Sequence, residues 1–306
     1  MSSGQHVAVA LSGGVDSVSL LHALVHLKST GTCGCQVSAF HVHHGISPNA
    51  DLWVEFCRNY SASLSTPFNS VRVTVERASK DGLEAAARRA RHAALAAVDA
   101  DWIMLAHQRD DQAETLLFNL LRGTGLAGAA AMRECNGRLL RPMLSIGRNE
   151  IESYALQHSL EWIEDEANAN IRFSRNFLRQ KVLPELRSHF PAASDNLSKA
   201  ATRFAEARDL LDDLARLDLG VTVVDFPISI EEMRALSEAR ARNVLRYLLA
   251  QRHVPIPSEV RLREALRQVL DAAIDRHPSI VFGQYRILRR RGWIYLEPAE
   301  GCADRN

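Results

Sequence analysis

The sequence predicts an α/β fold: a Rossmann-like parallel sheet with helices on both faces, then a helical linker and a smaller α+β domain. Three observations support this. Short apolar runs such as Val7–Leu11 and Trp102–Ala106 have the continuous hydrophobicity of parallel strands buried on both faces. Longer apolar-periodic stretches alternate with them, as βαβ units require. That alternation stops near Arg148, and a long Ala-rich and charged stretch over Pro191–Leu217 separates two differently patterned halves. A length of 306 residues suits about two domains. The expected division is a first domain over 1–190, a linker helix over 191–218 and a second domain over 219–306.

Val7–Leu11 is the first strand, and Ser12-Gly13-Gly14 breaks it. Asp16-Ser17 then opens an apolar helix over about Val18–Leu27. Val37–Val42 is the second strand, and Asp51–Ala62 is helical in pattern. Phe68–Val75 alternates as a strand, and Leu83–Val98 is a strong Ala/Arg helix. Trp102–Ala106 is the next strand, with a helix over Asp111–Leu121. Asn149–His158 and the basic stretch Phe173–Phe190, interrupted by Pro184, are helical. Pro191–Leu217 is the connecting helix. The second domain holds helices over Glu231–Gln251 and Ser258–Ala273, and a hairpin over Tyr285–Leu296 that turns at Arg291-Gly292.

Charged residues make up 24% and apolar residues 46%, which excludes a disordered or collagen-like chain. No apolar run is long enough to cross a membrane, and the first residues lack the pattern of a secretory signal. A cytoplasmic protein with no membrane partner is expected. Among its 37 basic residues only Lys28, Lys80, Lys181 and Lys199 are lysines; the rest are arginines, whose planar fork suits phosphate. Five cysteines without a C-x-x-C pair argue against a disulfide framework or structural zinc.

The first chemical motif is Ser12-Gly13-Gly14-Val15-Asp16-Ser17, between a strand and a helix. Glycines let the backbone approach a ligand, while helix-start amides and the two serine hydroxyls can hold phosphate oxygens. No lysine follows, so this is not a Walker-type loop. The second motif is Leu105–Thr115, again where a strand meets a helix. Asp111 and Glu114 are three apart and share a helix face. They suit Mg²⁺, a hard cation that prefers oxygen ligands. They equally suit a capping box, with Asp111 as N-cap and Glu114 at the third helical position.

The hexapeptide Ser12–Ser17 resembles the loop of the ATP pyrophosphatases, or PP-loop enzymes. Leu121–Gly128, Arg141-Pro142, Trp162–Asn168 and Arg175–Arg179, in this order, resemble the tRNA(Ile)-lysidine synthetase family. Pro257–Leu262 and Arg291–Leu296 resemble that family's substrate-binding domain. The resemblance implies cleavage of ATP between its α- and β-phosphates and ligation of L-lysine to C2 of the wobble cytidine in isoleucine tRNA with a CAU anticodon. It implies that Ser12, Gly13, Gly14, Val15, Asp16 and Ser17 bind ATP. It implies that Asp16, Asp110, Asp111 and Glu114 serve the ATP–Mg²⁺ side, with Asp16, Asp111 and Glu114 catalytic and metal-holding. Arg122, Arg141 and Arg175 are candidates for phosphate or RNA, Asp165 for orienting the lysine, and Arg289 and Arg290 for tRNA. A homodimer is left open.

Gln108 departs from the second histidine that many members carry there. The chain also ends soon after Leu296, where long members continue, so a short form or a truncated one is expected. Two other functions stay in view: a PP-loop tRNA 2-thiolation enzyme, and an ATP-binding sensor without catalysis. His41, His43 and His44 read as structural or loop residues rather than zinc ligands, and Arg88, Arg89 and Arg91 as a solvated helix face.

Overall fold

In the computed structural model the first strand, β1 (His6–Ala10), is enclosed along its centre: Val7, Ala8 and Val9 are each 0% exposed. The structure describes residues 4–76, 82–164, 174–220, 225–273 and 276–299. These form two compact units, over 1–205 and 206–306.

In the first unit, β2 (Gln36–His43), β3 (Phe68–Arg72), β4 (Trp102–Met104), β5 (Cys135–Asn136) and β6 (Leu139–Leu140) join β1 in one sheet of order β3-β2-β1-β4-β6-β5. All neighbouring pairs are parallel except β5 with β6. The strand order reverses beside β1: β2 lies on one side and β4 on the other. Ligands in open α/β sheets bind at such a reversal, beyond the carboxyl ends of the strands.

Helices cover the sheet. They are α1 (Val15–Ser29), α2 (Ala50–Ser63), α3 (Leu83–Ala96), α4 (Arg109–Leu121) and the short α5 (Leu126–Ala129). They are followed by α6 (Arg148–Gln157). Val18, Leu21 and Leu24 of α1 pack with Val7, Val9 and Val37, and with Ile151 and Ala155 of α6. Leu95, Ile103 and Leu105 form a second core, joined by Phe40 and Val42. Ile103 and Leu105 alternate with Met104 along β4 and beyond it, so the strand feeds two cores through its period of two.

The basic stretch is one turn of helix, α7 (Ser174–Phe177), a π-helical segment Leu178–Val182, and α8 (Leu183–His189) with Pro184 in its first turn. Proline is tolerated there because first-turn amides have no intrahelical acceptor. The expected linker is α9 (Ala193–Leu219). Its Leu197, Ala200, Ala201 and Phe204 pack on Leu116 and Ala129 in the first unit.

In the second unit the single helix expected over Glu231–Gln251 is two, α10 (Ile230–Ala235) and α11 (Glu238–Gln251). Ser237 between them is extended at φ −63°, ψ 154°, and its carbonyl begins α11 by accepting from Ala241 N–H at 2.9 Å. The sheet runs β7 (Ile228–Ser229), β10 (Trp293–Pro298), β9 (Tyr285–Arg290) and β8 (Ser279–Phe282), with α12 (Glu259–Asp271) packed on it. β9 and β10 form the expected hairpin. Its two-residue turn places Arg291 at φ 47° and Gly292 at φ 81°, the left-handed pair that matches strand twist.

Candidate active site at the carboxyl edge of the first sheet

The segment Leu11–Gly14 leaves β1 and enters α1, and the loop is stitched to itself. Ser12 N–H donates to Ser17 Oγ at 3.1 Å, while Ser17 Oγ donates to Gly14 C=O at 3.0 Å. The two serine hydroxyls are 3.1 Å apart. Gly13 has φ +93° and its carbonyl accepts from Ile163 N–H at 2.9 Å. A Cβ there would stand 2.9 Å from Ile163 Cδ1, so position 13 needs glycine for conformation and for space. The first-turn amides of α1 lack intrahelical acceptors and carry the positive end of the helix dipole. Next to them, Asp16 Oδ1 is buried without a hydrogen-bond partner. Burial, then the nearby Asp111 carboxylate, pushes the Asp16 carboxyl up to about 6, against the pull of Arg148 and Arg179.

The second motif meets the loop at the end of β4. α4 starts at Arg109, two residues before the expected Asp111, and the capping box is shifted accordingly. Gln108 is the N-cap: its side chain accepts from Asp110 N–H at 2.6 Å, and Asp111 Oδ2 accepts from Gln108 N–H at 3.0 Å. Gln108 thus has a structural duty. Asp111 is the third helical residue of the box, and Glu114 is not part of it.

Glu114 is 2% exposed and faces Arg179, whose Nε donates to its carboxylate at 2.9 Å. Arg179 Nη2 also donates to Asp111 Oδ1 at 3.1 Å. Arg175 stands 3.8 Å from Glu114 and over the Phe118 ring. Burial raises both carboxyls, and Arg179 opposes it. Among the described residues no three His, Cys, Asp or Glu side chains are grouped closely enough to hold a metal ion. Of the expected Mg²⁺ set of Asp16, Asp111 and Glu114, the last two are both bonded to Arg179, which stands between them. Asp16 keeps the free buried oxygen that suits a hard cation completing its shell with phosphate and water. Asp110 lies 3.9 Å from Arg187, and the two line a cavity of about 60 Å³ with Gln108, Glu114, Arg148 and Arg179.

His107 follows β4. Arg141 Nε donates to its Nδ1 at 3.1 Å, so the ring is neutral and presents Nε2–H. Burial, with Arg141, Arg91, Arg88 and Arg175 around it, holds His107 down to about 3. This corrects two expectations. Arg88 and Arg91 are half-buried beside His107 rather than a solvated face, and burial brings Arg91 down to about 10. Arg141 is buried, with Nε on His107 and Nη1 donating to Arg133 C=O at 2.8 Å, so two of its donors already serve the protein. Arg122 is exposed over Phe118. Asp165 lies outside the described residues. His41 donates to Leu11 C=O, and His43 joins Asp51 and Gly45, which are structural and loop duties.

In the second unit Arg289 is corrected as a tRNA contact. It is 6% exposed, and its Nη1 donates to Val269 and Ala272 C=O at 3.2 and 2.7 Å, capping the end of α12. Arg290 is exposed and paired with Glu297 at 3.1 Å. Trp293 is 44% exposed and is no core residue. A groove of about 700 Å³ is bordered by His277, Arg286, Arg290, Arg291 and Tyr295. Arg289→Ala is expected to destabilise the second unit by about 1–3 kcal/mol, because two carbonyls lose their donor. Arg290→Ala with Arg291→Ala should stay within about 0.5 kcal/mol of the parent. Urea denaturation of both proteins checks this.

Residues 2–186 match the model of the PP-loop domain, and residues 228–295 match that of the TilS substrate binding domain. The tRNA(Ile)-lysidine synthase of Nitrosomonas europaea is 41% identical over 308 residues, covering 98% of this chain and 67% of the relative. Those of Aromatoleum aromaticum and an Azoarcus species are 47% and 46% identical, covering 87% and 86% of this chain. The chain spans 63% and 59% of those two relatives' lengths. Among solved structures, a U34-tRNA thiolase of Methanococcus maripaludis with its [4Fe-4S] cluster is similar in fold, with a TM-score of 0.57 and 17% identity, covering 67% of this chain and 74% of its own. Identity at this level along nearly the whole sequence, with both domain models matched in order, shows that the chain belongs to the tRNA(Ile)-lysidine synthase family.

Proposed function

We propose that this protein ligates L-lysine to C2 of the wobble cytidine of isoleucine tRNA with a CAU anticodon, converting ATP to AMP and diphosphate. What carries this reading is the meeting, at one sheet edge, of the Ser12–Ser17 loop and the Asp16–Asp111–Arg179–Glu114 cluster, in a chain that also holds the family's substrate-binding domain.

The chemistry follows from the substrates. An amide-like C2 carbonyl is a poor electrophile, and its oxygen is a poor leaving group. Attack of that oxygen on the α-phosphorus of ATP makes an adenylate and releases diphosphate. The lysine ε-amine then attacks C2 and expels AMP. The loop amides and the hydroxyls of Ser12 and Ser17 hold the β- and γ-phosphates, and the dipole of α1 favours their charge. Asp16, with its unpartnered oxygen, would hold Mg²⁺, which would supply neutralisation of phosphate charge. Arg148 stands close enough to Asp16 to share that field. Neutral His107, ringed by Arg88, Arg91, Arg141 and Arg175, makes a positive edge suited to the α-phosphate and the approaching RNA. Glu114 and Asp111, held by Arg179, suit the lysine ammonium, with Arg179 as the residue to be displaced.

The test is incubation with ATP, radiolabelled lysine and isoleucine tRNA transcript. Label is expected in the RNA, with AMP and diphosphate as nucleotide products. ADP and phosphate as the main products would overturn the reading. The 2-thiolation alternative calls for cysteines that converge at the ATP loop, whereas the neighbouring Cys33 and Cys35 lie at the amino end of β2, Cys57 is buried under the loop and Cys135 is exposed.

The groove at Arg290 and Arg291 suits the tRNA backbone. Arg290→Ala with Arg291→Ala is expected to weaken tRNA binding and flatten its salt dependence by about 0.7–0.9 per lost contact. ATP affinity should stay within about twofold, under about 0.5 kcal/mol. Binding measured at several salt concentrations, with nucleotide binding alongside, checks it. An unchanged slope would move RNA recognition away from this hairpin.

A further inference from the structure

Cys33 and Cys35 flank Gly34 in the turn between α1 and β2, and their Sγ atoms are 2.8 Å apart. Both are free thiols, Cys33 half-buried and Cys35 buried. We propose that Cys33-Gly34-Cys35 is a redox-active dithiol that exchanges with low-molecular-weight disulfides and closes to an intramolecular disulfide.

The sulfurs are held together rather than meeting by chance. Cys33 N–H donates to Leu27 C=O at 3.1 Å, fastening one flank to the end of α1. Gln36 N–H donates to Gln5 C=O at 2.8 Å, fastening the other to the start of β1. Between them Gly34 C=O accepts from Gly4 N–H at 3.1 Å. The sulfurs are closer than two unbonded sulfur atoms normally rest, and a disulfide needs them at about 2.05 Å. Less than one ångström of closure remains, with glycine as the residue that bends.

The two thiols also differ in the way exchange requires. The Cys35 thiol and amide hydrogen-bond Cys33 Sγ and hold Cys33 below the ordinary thiol range. Burial, then the bond to Cys33, pushes Cys35 up. Cys33 is thus the accessible nucleophile and Cys35 the resolving thiol. By contrast, burial pushes Cys57 up to about 12, and Cys135 is exposed with no cysteine beside it among the described residues.

The step balances. Cys33 thiolate attacks the disulfide R–S–S–R, forming Cys33–S–S–R and releasing R–S⁻, which takes a proton. Cys35, as it loses its proton, attacks Cys33 Sγ and expels the second R–S⁻. The two protein thiols lose two electrons and two protons, and the small disulfide becomes two R–SH. A ring closed over a single residue is strained, and strained disulfides are the readily reduced ones. The pair should therefore cycle rather than persist. It sits at the amino end of β2, while Ser12–Ser17 follows the carboxyl end of β1.

The test incubates reduced full-length protein with graded mixtures of oxidised and reduced glutathione. Samples are quenched in acid, free thiols are blocked with N-ethylmaleimide, and peptides are mapped. An intramolecular Cys33–Cys35 disulfide is expected at high oxidised glutathione, and it should revert fully in excess reduced glutathione. Cys57 should stay a thiol throughout. Cys35→Ser should accumulate glutathione on Cys33, and Cys33→Ser should modify Cys35 at least tenfold more slowly. The wild-type map needs no variant to fold, so it decides alone. A pair that remains two thiols in oxidised glutathione overturns the proposal, as does one that never re-reduces, or equal modification of the two single variants.

Discussion

Asp16→Asn is expected to abolish turnover and at the same time stabilise the fold. The carboxyl sits at the start of α1 with one oxygen buried and unpartnered, and its ionisation falls near 6 instead of the ordinary 3.8. The sign follows from proton linkage. Between those values the native state binds more protons at this group than the unfolded chain does. Stability therefore falls as pH rises through the interval, and the full penalty is present above about pH 6. The shift corresponds to at most about 3 kcal/mol, and partial solvent access lowers it. An asparagine has no charge to bury. Urea denaturation at pH 8 should show the variant about 1–3 kcal/mol more stable, with the gain shrinking at pH 5. Lysine incorporation by the same protein should be undetectable. A residue kept only for structure would lose stability when replaced and keep its activity. An active variant, or one that is less stable at pH 8, would remove Asp16 from the phosphate site.

Asp16 was legible because its motif is local: strand, two glycines and helix start are adjacent in sequence, and each has one physical reason. The same holds for β1, whose unbroken apolar run implied cover on both faces. The residue that governs the second motif was not legible in the same way. Arg179 lies 65 positions after Glu114, on a π-helical segment that has no periodic signature. It belongs to the Arg175–Arg179 motif, yet nothing in its sequence surroundings indicates that it faces Glu114. Composition suggested a solvated face for Arg88 and Arg91, because alanine and arginine alternate there; tertiary packing turns two of them inward. Arg289 shows the opposite error. A run of arginines on a hairpin reads as an RNA surface, but strand alternation sends Arg289 to the α12 side and leaves Arg290 exposed. β5 and β6 are two residues each, too short to show a period, and they are strands only because β4 offers an edge. The break at Ser237 was visible in hindsight, since serine is a preferred N-cap, but the helical pattern continues across it.

Arg179→Ala should be the most destabilising single change at the site. Its guanidinium bonds Glu114, which is 2% exposed, and Asp111. Removing it leaves two desolvated carboxyls with weaker support, from Arg175 at 3.8 Å from Glu114 and from Arg148 near Asp111. Breaking a buried ion pair from one side costs about 3–5 kcal/mol, and the partial exposure of Arg179 points to the lower end. The pH dependence has a definite sign. Burial already raises both carboxyls, and without Arg179 they rise further, so the native state binds protons that the unfolded chain has released. The loss is therefore largest above neutral pH and shrinks as the solution is acidified. Glu114→Gln added to Arg179→Ala removes one of the stranded charges and should restore at least half of the lost stability, though not lysine ligation. Urea denaturation of the two single variants and the double variant at pH 8 measures the coupling directly. Additive losses would mean that Arg179 and Glu114 do not depend on each other, and that the arginine holds the basic segment against α4 by packing alone.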